Sequence, residues 1–262
     1  MRFDLYPYGK PFNMLLSIRI LRPVNLRLSV FDSETKRIFI DRNLRLQKSK
    51  RVLVKLPIVS DELTAEIIDK NLPRGRSAFV VEQIKVAPDT KCPIDLTKND
   101  KAFIRFVKWF STESSRLQAT KKGTLYSSEG FSILYIDTII DAGIELTTPA
   151  RIARNSGVIE VSKKQTIDYS VPMLIVMLLH EYAHKFKNKE YGKKDSNELT
   201  ADIIACHIAL NLGFDSHEVL NAFYAVFEKK DSKLNRKRMG AIKEFVSIFK
   251  ESEDQRCNTK RR

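Results

Sequence analysis

Residues 180–184 form an H-E-x-x-H run, in which two histidines flank a glutamate. Positions i and i+4 of a helix lie on one face, so the imidazoles of His180 and His184 can bind the same metal ion. Glu181 then stands where a general base for a water molecule at the metal is needed. Two histidines do not complete a zinc site, and the chain offers the carboxylate of Glu198 as a third ligand soon afterwards.

Two consecutive helices are expected to carry these residues. An apolar stretch at 171–179 leads directly into the run, and Ser170 before it is a suitable N-cap, with a proline tolerated in the first turn. A second helix is expected from about Ser196 to about Gly213. It carries Glu198, and Asp202 lies one turn later on the same face. The spacing therefore predicts that two neighbouring helices build the metal site.

These motifs resemble the gluzincin metallopeptidases, in which a glutamate in an N-E-x-x-x-D pattern is the third ligand, and residues 197–202 match that pattern. The E-x-x-A-D helix at 198–202 and the Gly-Phe-Asp turn at 213–215 are similar to the family typified by the membrane-bound heat-shock and CAAX-processing peptidases. The resemblance covers about Arg151 to Phe249. Only residues 185–197 separate the two motifs, a short spacing that is similar to compact minigluzincin-like proteins, including ones encoded by tailed bacteriophages.

The resemblance implies that His180, His184 and Glu198 hold a zinc ion and that Glu181 is the catalytic base, which later protonates the leaving amine. It also implies that Asp202 orients a ligand imidazole.

An edge strand precedes the metal helix in these peptidases and would bind an extended substrate by strand addition. The residues expected to form it are Gly157, Val158, Ile159, Glu160 and Val161. A donor for the transition-state oxyanion is needed as well. The candidates, which the sequence does not separate, are Tyr182, Tyr191, His207 and His217.

The first third of the chain has the pattern of β structure. Short β-rich segments are separated by polar turns, which is typical of a sandwich or barrel-like module. These segments are 14–20, 26–31, 37–40, 51–56, 62–68 and 78–86. We therefore predict an α+β fold with a β-sandwich-like module at 1–90 and, after a linker at 87–93, a mainly helical zincin-like metallopeptidase domain with a small β-sheet at 97–250.

The second part of the chain has mainly helical spacing, beginning with apolar residues at 103–110. A buried strand is expected at 132–136, and 151–161 is expected to form a hairpin that turns at 155–157. Asp215 and Glu218 have the spacing of a capping box and open a further helix. The last helix is expected at 236–249, followed by a charged tail at 251–262.

The composition of the chain indicates which classes of partner and which location to expect. The 262 residues carry a net charge of +14, which is spread over the whole chain and predicts no specific nucleic-acid binding. No apolar run approaches the ~20 residues of a membrane span, and the N-terminus lacks a secretory signal, so a cytoplasmic location is the default expectation. The three cysteines show no paired spacing, and Cys206 is expected in the core.

Two functions follow from these observations. The leading hypothesis is a zinc-dependent endopeptidase that acts on a protein or peptide substrate. The alternative is a zincin fold retained as a structural or assembly part, for example in a bacteriophage virion or tail, with weak, one-time or no peptidase activity and with other virion proteins as partners. A nucleic-acid binder would explain neither Glu181 nor Glu198.

Overall fold

The computed structural model describes residues 1–71, 78–88, 96–153, 155–187, 196–228 and 231–259. They form an α+β fold with antiparallel sheets in the first part and helices around a small mixed sheet in the second. The first seven strands are β1 (Arg2–Leu5), β2 (Phe12–Ile20), β3 (Val24–Asp32), β4 (Ile38–Leu46), β5 (Lys50–Leu56), β6 (Leu63–Asp69) and β7 (Phe79–Pro88).

Two antiparallel sheets arise from these strands, in the orders β1-β6-β3-β4 and β5-β2-β7. Alternate residues of β2 are buried, from Phe12 to Ile18, because successive side chains of a strand point to opposite faces. All six predicted strands are confirmed, and β1 was not predicted. The predicted linker begins too early, since Ala87 and Pro88 still pair with β2; its remaining residues, 89–93, lie outside the described residues.

The second part begins with α1 (Lys98–Glu113), whose N-cap Thr97 forms a capping box with Asp100. Strands β8 (Thr124–Ser128), β9 (Phe131–Ile136), β12 (Ala150–Ile152) and β13 (Ile159–Ser162) form a sheet in the order β12-β13-β9-β8. Between β9 and β12 in the sequence, β10 (Ile140–Asp141) and β11 (Ile144–Glu145) form a short hairpin. The predicted hairpin of β12 and β13 is confirmed.

Five further helices follow in the part of the chain that the structure describes, of which the short α2 was not predicted and the other four occur in the predicted order. They are α2 (Lys163–Thr166), α3 (Val171–Tyr182), α4 (Ser196–Asn211), α5 (Ser216–Phe227) and α6 (Lys233–Thr259). The last helix is longer than predicted, and the expected charged tail is helical as far as Thr259. Cys206 is fully buried, as predicted.

Candidate metal centre

The H-E-x-x-H run begins near the end of α3, a helix whose residues are almost all buried. The side chain of Ser170 caps this helix by accepting a hydrogen bond from the backbone N–H of Met173, as the sequence predicts. The α-helix ends at Tyr182, and a π-helical turn at Ala183–Lys187 follows. His184 therefore lies in that wider turn rather than in a continuous α-helix, a local distortion that is frequent at functional sites.

Three ligand atoms converge where α3 meets α4. The Nε2 atoms of His180 and His184 lie 3.0 Å apart. The carboxylate of Glu198 lies 3.5 Å from Nε2 of His180 and 3.3 Å from Nε2 of His184. A tetrahedral zinc ion with bonds near 2 Å holds its ligand atoms about 3.3 Å apart. The three side chains therefore fit a metal ion, and this group could hold one.

The fully buried Asp202 supports the cluster from behind. Its Oδ1 lies 2.9 Å from Nδ1 of His180, on the side of the ring opposite to the convergent Nε2. Arg238 of α6 donates hydrogen bonds to both Asp202 oxygens, at 2.7 and 2.9 Å, and its Nη2 lies 3.1 Å from Glu198. The last helix thus contacts both carboxylates of α4, and its guanidinium balances part of their charge.

The carboxylates also control protonation in this cluster. Burial disfavours the charged form of His180, but hydrogen bonds to Asp202 and Glu198 outweigh it and raise the pKa of His180 to about 10. Hydrogen bonds from His180 and His184 lower the pKa of Glu198. Both shifts favour a protonated imidazole beside a charged carboxylate, and a metal ion that binds here competes with that proton.

Glu181 lies beside the two histidines and contacts strand β12 of the small sheet at Ile152. It is buried, and this burial raises the pKa of its carboxyl, although both imidazoles and the backbone N–H of Ile152 favour the charged form. A carboxyl with a raised pKa beside a cluster of possible metal ligands accepts a proton more readily than an exposed glutamate does, as a general base must.

A cavity of about 340 Å³ opens beside this cluster. Strand β12 lines it together with His180, Glu181, His184 and Glu198. Its apolar lining includes Met177 from α3 and Phe223, Val226 and Phe227 from α5. The cavity thus offers both a polar reaction zone and a surface for a nonpolar group.

The prediction that residues 157–161 form the edge strand is wrong, because the edge is the neighbouring strand β12. Gly157 and Val158 belong to the turn, and Ile159, Glu160 and Val161 form β13 with Ser162, which is hydrogen-bonded to β12 on one side and β9 on the other. Because β9 runs parallel to β13 and pairs with Ile159 to Ser162, no edge is left there for a substrate. The edge beside the cavity is β12.

The predicted oxyanion donors are not brought to the cluster within the described residues. Tyr182 is almost fully buried, stacks between Phe103 and Phe186, and donates its hydroxyl to Asp100 at 2.5 Å. His207 and His217 are exposed and do not line the cavity. Tyr191 lies outside the described residues.

Asp100 of α1 holds the end of α3 and the π-helical turn after it through hydrogen bonds. Besides the Tyr182 hydroxyl, its carboxylate accepts hydrogen bonds from Lys187 at 2.6 Å and from Thr97 at 2.7 Å. Burial opposes ionisation, but these donors lower the pKa of Asp100. Lys187 thereby anchors the end of the π-helical turn that carries His184.

Arg238 is the residue of this site that the sequence analysis missed. It precedes the buried residues Met239, Ile242 and Val246, and lies in line with the last two at intervals of four. An arginine within the apolar stripe of an amphipathic helix signals a buried partner, which here is Asp202. That signal alone does not identify the partner, because Asp202 lies 36 positions away.

Comparison with protein-family models, with curated proteins and with solved structures gave no match. Among the described residues, the helices are all too short or too polar to cross a membrane. What can be inferred about the function therefore rests on the geometry of His180, Glu181, His184 and Glu198 and on the cavity beside them.

Proposed function

We propose that this protein is a zinc-dependent endopeptidase. The observation that carries the proposal is the convergence of two imidazole nitrogens and one carboxylate at tetrahedral spacing, beside a buried glutamate and an open cavity. Two histidines and a carboxylate are a ligand set that zinc hydrolases use, with one position left for water or substrate. Zinc itself is part of the proposal, because the donor set alone does not identify the ion.

His180, His184 and Glu198 would hold the ion, and Asp202 and Arg238 would fix the orientation of His180 and Glu198. When bound, the zinc ion supplies a Lewis acid that polarises the scissile carbonyl and lowers the pKa of a water molecule. Glu181 accepts the proton of the attacking water as the new C–O bond forms. It then delivers that proton to the amine nitrogen as the C–N bond breaks.

The substrate would lie along β12. The backbone N–H of Ala153 donates to Val158, and Pro149 accepts a bond from Ser162, so alternate residues of this strand face β13. The backbone groups of Ala150 and Ile152 consequently face the other way, along the edge beside the cavity, where the N–H of Ile152 donates to Glu181 and the groups of Ala150 are offered to a substrate. An extended peptide can add there as a further strand, which would set the scissile bond near Glu181.

The apolar wall of the cavity supplies a pocket for one substrate side chain. Met177, Phe223, Val226 and Phe227 present carbon atoms to this space, and Arg238 lies over the ring of Phe227 at 4.7 Å. A bulky nonpolar residue next to the scissile bond would bury its surface against this wall. We propose such residues as the preferred cleavage sites.

The architecture that we propose for this activity has two parts. Residues 1–90 form a β-sandwich-like module, and residues 97–250 form a zincin-like metallopeptidase domain. The alternative, a structural or virion-assembly part with little or no peptidase activity, makes the metal a stabiliser of the fold. The cavity and the buried Glu181 support the enzyme, since a purely structural zinc site is normally closed by four protein ligands.

Cleavage of a peptide library tests the proposal. We expect metal-free protein to be inactive and one equivalent of zinc to restore cleavage. Replacing the proposed base in Glu181→Gln should lower kcat by about a hundredfold to ten-thousandfold while zinc stays bound. The matched control, Glu244→Gln, alters an exposed carboxylate of α6 and should leave kcat unchanged. Zinc-loaded wild type that cleaves no peptide, or Glu181→Gln with full activity, would contradict the enzyme proposal.

A further inference from the structure

A buried ion pair connects the first sheet to a helix of the candidate site. Arg42 of β4 donates from Nε to one oxygen of Glu218 at 3.1 Å and from Nη2 to the other at 2.7 Å. Both side chains are buried, with 8% and 5% of their surfaces exposed. Nη2 of Arg42 also lies 3.6 Å from Asp215, which caps α5 by accepting from the N–H of His217.

Glu218 does not act as the predicted capping-box partner; it turns to Arg42 instead. A carboxylate in the first turn of a helix is favoured by the helix dipole, and a planar guanidinium holds it in one geometry through two parallel bonds. Burial raises the pKa of Glu218 although Arg42 opposes this shift, so the carboxylate depends on the guanidinium to remain charged. The pair therefore fixes the position and rotation of the start of α5.

The other face of the same helix lines the cavity. At 3.6 residues per turn, Phe223 and Phe227 are rotated by about 140° and 180° from Glu218 around the helix axis. Both rings, with Val226, form the apolar wall beside the metal-ligand cluster. Helix α5 thus lies between the first sheet, which it contacts through Glu218, and the space proposed for the substrate.

Apolar contacts surround the ion pair on the sheet side. Phe39 and Ile40 of β4 line a small space together with Phe214 and with Pro172 at the start of α3. Strand β4 therefore meets the beginnings of α3 and α5, the two helices that supply the apolar lining of the cavity, and a change of its position would move them together.

We propose that Arg42 is a positioning residue for the substrate pocket: by holding Glu218, it sets α5 so that Phe223, Val226 and Phe227 receive a bulky nonpolar substrate side chain. This gives the N-terminal sheets a part in specificity. The inference rests on the proposed peptidase function for its effect on substrates. The ordering of α5 by Arg42 holds independently of that function.

The test uses the full-length chain and a double variant, Arg42→Met with Glu218→Met. A single Arg42→Met change leaves a buried, unpaired carboxylate and can unfold the chain. The double change removes both charges and keeps similar side-chain volume, a replacement that buried ion pairs commonly tolerate. Arg27→Met is the matched control, because Arg27 also forms a two-bond pair, with Asp41, in the neighbouring strands but at an exposed position.

The first readout is amide hydrogen exchange, which does not depend on activity. We expect residues 216–227 of the double variant to exchange about tenfold faster or more, because local opening of a helix follows the loss of its buried contacts. Residues 196–211 of α4 and all segments of the Arg27→Met protein should exchange at wild-type rates. Unchanged exchange of α5 in the folded double variant would overturn the positioning role.

The second readout is peptide cleavage. For substrates with phenylalanine or leucine at the pocket position, kcat/KM should fall about tenfold, mainly through KM, while substrates with alanine there should change less than about twofold. The charge-swapped variant Arg42→Glu with Glu218→Arg should recover part of the loss. An equal loss for both substrates, or none, would overturn the specificity role. Wild type without any cleavage would defeat the peptidase proposal instead, and the exchange measurement would still decide whether Arg42 orders α5.

Discussion

The two parts of the chain bury their charges in different ways. In the part before residue 89, the buried cations Arg37, just before β4, and Arg42, within β4, contact the later part: Arg37 donates to the backbone carbonyl of Ser111, and Arg42 pairs with Glu218. In the later part, four buried ionisable side chains, His180, Glu181, His184 and Asp202, lie together at one cavity, apart from the buried Asp100 and Glu218.

The difference separates two uses of buried charge. Taking a charged group out of water is costly unless it is paired, so a fold keeps such groups only where they are matched. Arg42 of the first part is matched by Glu218 across the boundary, whereas Arg37 reaches across it to a neutral backbone carbonyl. The groups at the cavity contact one another, and His180 and His184 could hold a metal ion together with Glu198.

The largest effect on stability is expected where a charge of the first part loses its partner. Arg42→Met leaves Glu218 buried without a counter-ion and should lower the free energy of unfolding by about 3–5 kcal/mol. Denaturant unfolding measures this change, and the double variant with Glu218→Met should recover most of it. If Arg42→Met lowered the free energy of unfolding by less than about 1 kcal/mol, the buried pair would contribute no more than an ordinary surface pair.

A smaller effect, on metal affinity, is expected when Asp202, which contacts His180 in the second part of the chain, is replaced. Asp202→Asn retains the size of the side chain but weakens its interactions with His180 and Arg238, and zinc affinity should fall about tenfold to a hundredfold. A competition titration with a chromophoric chelator measures the affinity. Asp141→Asn, an exposed change in the β10–β11 hairpin, is the control. Equal affinities of the Asp202→Asn variant and the wild type would show that Asp202 does not support a metal site.

The pH dependence of the metal-free protein should follow from the same cluster. Because the pKa of His180 is raised from 6.5 to about 10, its protonated form stabilises the fold fully below pH 6.5, and this contribution is lost as the pH rises through 10. The pKa of Glu198 is lowered, so its contribution is present above 4.5 and is lost as the pH falls below that value.

Thermal unfolding of chelator-treated protein checks this expectation. The Tm should fall between pH 7 and pH 10, whereas zinc should abolish the fall, because the metal replaces the proton and binds more tightly as protons leave. His180→Gln should lack the alkaline fall. A metal-free wild type with a flat Tm over this range would contradict the proton-sharing cluster.

The smallest effect is expected for the exposed pair of the first part. Arg27 and Asp41 make two short hydrogen bonds, as Arg42 and Glu218 do, but both side chains are more than one-third exposed. Water screens such a pair, and Arg27→Met should change the free energy of unfolding by less than about 1 kcal/mol. A change as large as that of Arg42→Met would show that burial is not what distinguishes the two pairs.

Local features were predictable from the sequence, and long-range pairing was not. The Ser170 cap, the two helices and the convergence of His180, His184 and Glu198 depend on spacings of a few residues. The edge strand was wrong because β9, which covers β13, lies 26 positions earlier in the chain and pairs in parallel with it. Arg238 and the pairing of Arg42 with Glu218 were missed because nothing local indicates a partner so distant in the sequence.

The most direct test of the central claim is the zinc content of purified protein after saturation and removal of free metal. Wild type should retain about one zinc ion per chain, and Glu198→Ala, His180→Ala and His184→Ala should each retain much less, while Glu244→Ala retains a full equivalent. Wild type that retains no metal, or ligand variants that bind as well as wild type, would contradict a metal centre formed by these three side chains.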